Sequence, residues 1–163
     1  MPEAALSLGS NLGDKAGAIE DALQSLGESD DIRLLRRSRL YRTEPWGDAD
    51  QDWFLNACAL IETGLSPQAL LECCLAIETS LGRDRTKSRR WGPRPIDIDL
   101  LFYGDVVLSE PRLTLPHPHM LERAFVLVPL NEVAPDAHIR DQRIKDALRG
   151  LDTSGVRLWE GGA

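Results

Sequence analysis

Residues 96–103 read Ile96-Asp97-Ile98-Asp99-Leu100-Leu101-Phe102-Tyr103. Apolar and acidic residues alternate at first, and the rest of the run is apolar or aromatic. A period of two marks a strand with one buried face, so Ile96, Ile98 and Leu100 are expected to face a core, with Asp97 and Asp99 on the other side. Upstream, Ser66-Pro67 supplies a helix N-cap followed by proline at the first helical position. Leu70, Cys74, Ile77 and Leu81 then recur at helical spacing, and Gly82 stops that helix. Further back, Trp53–Ile61 and Ile32–Tyr41 are runs of strand character, the second with basic residues on its solvent side. Ile19, Ala22, Leu23 and Leu26 mark an earlier helix ended by Gly27, and Ala4–Leu8 is a short apolar strand running into the turn-rich Gly9–Asp14. The order strand, helix, strand, strand, helix, strand predicts an α+β fold with a ferredoxin-like βαββαβ core, its antiparallel sheet layered with helices. Beyond it, a hairpin at Gly104–Leu108, a short helix near Phe125–Glu132 and a last helix over Ile144–Leu151 are expected as a C-terminal hairpin and helices.

The chain has 163 residues, 42% hydrophobic and 28% charged, which suits one soluble domain spanning 1–163. No apolar run reaches the roughly 18 residues of a membrane span, and the start lacks the pattern of a secretory signal. Three cysteines, two of them adjacent in a helical stretch, read as reduced thiols, and the expected location is cytoplasmic. A net charge of −7 speaks against general binding to nucleic acid or to anionic membrane. Yet residues 83–94 hold six basic groups against one aspartate, a local balance of +5.

That basic segment runs directly into the acidic pair. On a strand, the backbones of Asp97 and Asp99 stand roughly 6.6 Å apart with both side chains on one side, an arrangement suited to a hard divalent cation such as Mg²⁺. Alone, such a pair reads as the wet face of an amphipathic strand. Beside Arg83, Arg85, Lys87, Arg89, Arg90 and Arg94 it points instead to polyphosphate, since phosphoryl transfer needs guanidinium groups on phosphate oxygens together with a metal. Gly9–Lys15 does not match a Walker loop, which needs four residues between its glycines. His117 and His119 have no third ligand at a zinc spacing. An RNA-recognition module shares the strand order, but Ala4–Leu8 carries no aromatic for base stacking.

Trp91-Gly92-Pro93-Arg94-Pro95-Ile96-Asp97-Ile98-Asp99-Leu100-Leu101 resembles the signature of the 6-hydroxymethyl-7,8-dihydropterin pyrophosphokinase family, a group of folate-pathway enzymes. Similar segments lie in order along residues 4–136: Leu8–Gly13, Tyr41-Arg42-Thr43, Phe54-Leu55-Asn56, Ile77-Glu78, Leu81-Gly82-Arg83, Arg112-Leu113-Thr114, Pro116-His117-Pro118 and Glu122–Val126. The resemblance implies transfer of pyrophosphate from ATP to the pterin with release of AMP, and binding of two Mg²⁺ ions by Asp97 and Asp99. It implies catalytic roles for Arg83 and Arg94 on phosphate, and a lid carrying Arg85, Arg90 and Trp91. Glu78, Leu100, Arg112, Thr114, His117 and Arg123 would contact the nucleotide. Phe54 and Phe125 would sandwich the pterin, with Asn56 reading its polar edge, Thr43, Glu44, Pro45 and Trp46 beside it, and Asp97 touching it too. The partners implied are these small molecules, without nucleic acid or membrane, and a monomer is expected. Phe54 stands where some relatives have tyrosine, which removes any bond from that hydroxyl; Leu75 stands where some have glutamine and Pro118 replaces an aromatic, so adenine contacts are expected to differ.

Overall fold

The computed structural model describes residues 1–44, 52–82 and 95–161. In chain order these form β1 (Glu3–Ser10), α1 (Lys15–Glu28), β2 (Ile32–Arg37), β3 (Tyr41–Thr43), β4 (Phe54–Thr63), α2 (Pro67–Ser80) and β5 (Asp97–Tyr103). A hairpin of β6 (Leu108–Glu110) and β7 (Leu113–Leu115) follows, then a 3₁₀ turn at Met120–Glu122 and α3 (Ala124–Val133). The hairpin of β8 (His138–Ile139) and β9 (Gln142–Arg143), α4 (Ile144–Arg149) and β10 (Val156–Leu158) complete the chain.

Both long early helices are capped as their sequences require. Asp14 accepts from Gly17 N at 3.0 Å, and Ser66 Oγ accepts from Ala69 N at 3.1 Å ahead of Pro67. The main sheet runs β10–β3–β4–β1–β5, with β2 also paired to β4, and each of these pairings is antiparallel. β2 lies along Ala59–Thr63 while β3 lies along Phe54–Asn56. Taken as one interrupted strand, they give the ferredoxin-like order.

The interruption corrects the continuous strand expected over Ile32–Tyr41. Ser38 is buried, and its Oγ accepts from Cys58 N at 2.9 Å while donating to Arg39 O at 2.7 Å. A side-chain oxygen thus meets a backbone donor of β4 and turns the chain between β2 and β3. The hairpin expected after residue 103 is also displaced. Val106–Leu108 does not fold back on β5, and Leu108–Glu110 pairs with Leu113–Leu115 instead. The outer edge of β5 is occupied otherwise: Glu78 Oε2 accepts from Ile98 N at 2.7 Å, and Leu101 O accepts from His117 N at 2.8 Å.

Each sheet face has its own core. Leu6, Leu8, Leu55, Ile61, Ile96 and Ile98 pack with Ile19, Leu26 and Leu70 of α1 and α2. Ala5, Cys58, Leu60, Leu101 and Phe102 pack with Val126, Leu127 and Leu130 of α3 and with α4. A register shift between Ala5 and Leu6 leaves Leu101 as the extra residue of β5, so Leu101 and Phe102 both reach the α3 side.

Candidate active site

The α3 side of the sheet is apolar only along part of its length. Directly opposed residues of antiparallel strands point to the same face, and the ladders place Tyr41 opposite Asn56, Asn56 opposite Gly9, and Gly9 opposite Asp97. These four residues form one row across β3, β4, β1 and β5. Thr43 and Phe54 are opposed beside it, and Ser7 and Asp99 on its other flank. Period-two alternation puts all eight residues on the face that α3 covers.

The row has a polar group on either side of a bare glycine. Asn56 and Asp97 lie two strand spacings apart, about 10 Å. Asn56 is buried, and its Nδ2 donates to Thr43 Oγ1 at 2.9 Å. That bond turns Oδ1 over Gly9, where a Cβ would meet it at 3.0 Å. The floor therefore offers a fixed acceptor, open backbone and then a carboxylate.

Asp97 and Asp99 are half-buried and start β5 on one face, as their alternation predicts. Between them, Ile98 N donates to Glu78, whose side chain is buried in α2. Glu78, expected on the nucleotide side, thus has one oxygen engaged in holding the strand that carries both acids. Leu100 has its side chain in the core, which leaves its main chain for any ligand contact.

His117 is tied to β5 through Leu101 O, and its Nδ1 accepts from His119 N at 3.2 Å, which places the imidazole proton on Nε2. Burial is the main cause holding this imidazole below the usual histidine range. Arg123 and His119 add to the effect, while Asp97 pulls the other way. Arg123 is the N-cap of α3, with its guanidinium 5.8 Å from the centre of the Phe125 ring. A guanidinium and a helix N-terminus attract negative oxygens from the same side.

The remaining predicted residues are more scattered. Arg112 pairs with Glu72 of α2 at 2.8 Å, Thr114 is exposed opposite Ser109, and Glu44 pairs with Arg42 at 3.4 Å. Pro45, Trp46, Arg83, Arg85, Arg90, Trp91 and Arg94 lie outside the described residues. Among the described residues no cluster of three or more His, Cys, Asp or Glu could hold a metal ion, so Asp97 and Asp99 would need oxygens from a ligand to complete a coordination shell. A cleft of about 330 Å³ lined by Arg42, Glu44, Ser154, Gly155 and Arg157 opens on the opposite sheet face from the acids.

One residue of the row carries only a weak signal in the sequence. Gly9 reads as the start of a turn, but it is paired within β1, and a glycine at the end of a strand marks a place where backbone is approached closely. Trp53 packs half-buried against the α1–α2 core, with Lys15 Nζ 4.1 Å and the Arg42 guanidinium 4.5 Å from its ring centre. Lys15 also donates to Asp52 at 2.9 Å.

A family model described as 7,8-dihydro-6-hydroxymethylpterin-pyrophosphokinase matches residues 5–135. A 2-amino-4-hydroxy-6-hydroxymethyldihydropteridine pyrophosphokinase of Methylorubrum extorquens is 54% identical over 160 residues, covering 98% of this chain and 100% of that protein. The protein of the same name from Pseudomonas aeruginosa is 44% identical over 157 residues, 96% of each chain. Among solved structures, the wild-type HPPK-DHPS of Plasmodium falciparum with pteroate superposes with a TM-score of 0.71 at 16% identity, over 91% of this chain and 42% of that one. At that identity the superposition speaks for the α+β fold.

Proposed function

This chain belongs to the 7,8-dihydro-6-hydroxymethylpterin-pyrophosphokinase family, and from that premise we propose how its residues divide the work of moving pyrophosphate from ATP to 6-hydroxymethyl-7,8-dihydropterin, with AMP released, in tetrahydrofolate biosynthesis. The row Asn56–Gly9–Asp97 carries the reading. A flat bicyclic ring needs two apolar walls and a polar edge, and a reacting side group must end near the acids.

Asn56 Oδ1 accepts from an N–H on the polar edge of the pterin, held in orientation by Thr43. Phe54 and Phe125 supply the walls, with Glu44, Pro45 and Trp46 alongside. The hydroxymethyl group then lies toward Asp97. Two hard carboxylates on one face, with room for ligand oxygens, fit Mg²⁺ carried in with ATP. When bound, the divalent ions neutralise charge on the transferring group. His117, through its Nε2 proton, and Arg123 bind phosphate oxygens of the nucleotide, helped by Arg112 and Thr114. Arg83, Arg85, Arg90, Trp91 and Arg94 enclose the triphosphate from the basic segment.

The hydroxymethyl oxygen forms a bond to the β-phosphorus of ATP. The bond from that phosphorus to the α,β-bridging oxygen breaks, and AMP departs with the electron pair. The hydroxyl proton passes to solvent. Positioning and charge neutralisation are enough for this step, without a dedicated general base. The chain acts as a monomeric single domain over residues 1–163, in the cytoplasm. No described helix is long and apolar enough to cross a membrane.

Incubation with Mg²⁺, ATP and the hydroxymethyl dihydropterin tests the reading. AMP is expected to appear mole for mole with pterin diphosphate, to need the pterin, and to cease with EDTA until Mg²⁺ is restored. Release of ADP, or nucleotide breakdown indifferent to the pterin, would refute it.

A further inference from the structure

We propose that Glu132 is a positioning residue that sets the gap of the pterin cleft, by holding α3 over the sheet so that Phe125 stands across from Phe54. The inference rests on the pterin reading of the site and assigns a role to a residue remote from the substrate.

The Glu132 side chain is 23% exposed and is gripped from several directions. Its Oε1 accepts from Arg39 N at 3.0 Å, while Oε2 accepts from Arg39 Nε at 3.3 Å and from the Tyr41 hydroxyl. The Arg39 guanidinium reaches the Tyr41 oxygen as well, at 3.4 Å. One carboxylate of α3 therefore binds both the turn before β3 and the first residue of that strand. Tyr41 is directly opposite Asn56, so the tie reaches the row that forms the cleft floor.

On the helix, Phe125 and Glu132 are seven residues apart. Seven residues are nearly two full turns, which puts both side chains on one face about 10.5 Å apart along the axis. On the sheet, Tyr41 and Asn56 are one pleat from Thr43 and Phe54. The carboxylate tie near one end of α3 and Phe125 near the other are thus two points on one helix, which packs on the sheet face that carries Phe54.

Apolar packing holds the helix down but does not by itself fix this gap. Val126, Leu127, Leu130 and Val133 bury themselves against Cys58, Leu60, Leu101 and Phe102. Such contacts are non-directional and tolerate small slides. Charge-assisted hydrogen bonds have a preferred distance and angle, so the bonds to Glu132 select one position among those that packing allows.

The test is binding of 6-hydroxymethylpterin, followed by its own fluorescence, beside binding of a non-hydrolysable ATP analogue, in wild type, Tyr41→Phe, Glu132→Gln and the double variant. Each single variant is expected to weaken pterin binding about fivefold to tenfold, a little less than the full loss of a hydrogen bond to a charged acceptor, because the effect reaches the pterin through the helix. The double variant should be little worse than Glu132→Gln alone, because the Tyr41 hydroxyl bonds to the same carboxylate that this substitution neutralises. Nucleotide affinity should stay within about twofold and kcat at saturating pterin within about threefold, so that KM moves without kcat. Unchanged pterin binding, or equal losses for pterin and nucleotide together with a lower melting point, would overturn the proposal. Should Glu132→Gln fail to fold, Tyr41→Phe decides alone, since it removes one oxygen and keeps the ring. A wild-type protein that binds no pterin would instead overturn the functional reading itself.

Discussion

Asp97 and Asp99 stand half-buried on the polar stretch of the sheet face, outside both apolar cores, so their chemistry can be separated from their contribution to folding. Asp97→Asn and Asp99→Asn keep the side-chain shape and remove the charge. Each is expected to lower kcat/KM by at least about 100-fold, the scale of a lost electrostatic group at a reacting centre. The melting point should move by only a few degrees, which steady-state assay beside calorimetry would establish. His117 gives a pH signature. Burial favours its neutral form, so the unfolded chain takes up a proton near pH 6.5 while the folded protein resists until lower pH. That contribution is complete above pH 6.5 and is lost as pH falls through the folded value. The difference in melting point between wild type and His117→Gln should therefore shift against the wild type between pH 7.5 and pH 5. A constant difference would remove His117 from the titrating groups.

Single elements carry consequences that no isolated residue shows. β1 is the floor of the cleft because Gly9 has no side chain between Asn56 and Asp97. In Gly9→Ala the new methyl would meet Asn56 Oδ1 at 3.0 Å, and the amide cannot swing away without breaking its 2.9 Å bond to Thr43. Pterin KM is expected to rise about tenfold with nucleotide KM unchanged, a split that substrate titrations at fixed co-substrate would read. β5 is an edge strand whose outward Ile98 N–H is met by Glu78. Glu78→Ala leaves that donor buried and unpaired, a loss of about 1–3 kcal/mol in urea unfolding. Glu78→Gln keeps an acceptor and should lose about half as much. Equal stability in all three proteins would show that the bond to Ile98 does not hold the strand.

For the whole molecule, the central question is whether two cores on one sheet behave as a single unit. The cysteines can report on it, because Cys74 lies in the α1–α2 core and Cys58 in the α3–α4 core. Burial pushes the Cys74 thiol up to about 12 and the Cys58 thiol higher still. The half-buried Cys73 should react first with iodoacetamide, and Cys58 and Cys74 should follow together at the rate of global unfolding. Separate rates for these two would mean that the faces open independently. The sheet joins the faces, and its joining was only partly legible beforehand. The order of strands and helices, the Ser66 N-cap and the common direction of Asp97 and Asp99 were determined by the sequence itself, since alternation, helical spacing and capping act over a few neighbours. The break at Ser38, the addition of β10 to the sheet edge and the displaced hairpin were decided by tertiary structure. So were the row Tyr41–Asn56–Gly9–Asp97, the Glu78 bond to β5 and the grip of Glu132 on Tyr41. These depend on the register between strands remote in the chain, which is settled only when both faces of the sheet are packed and every backbone donor has found its acceptor.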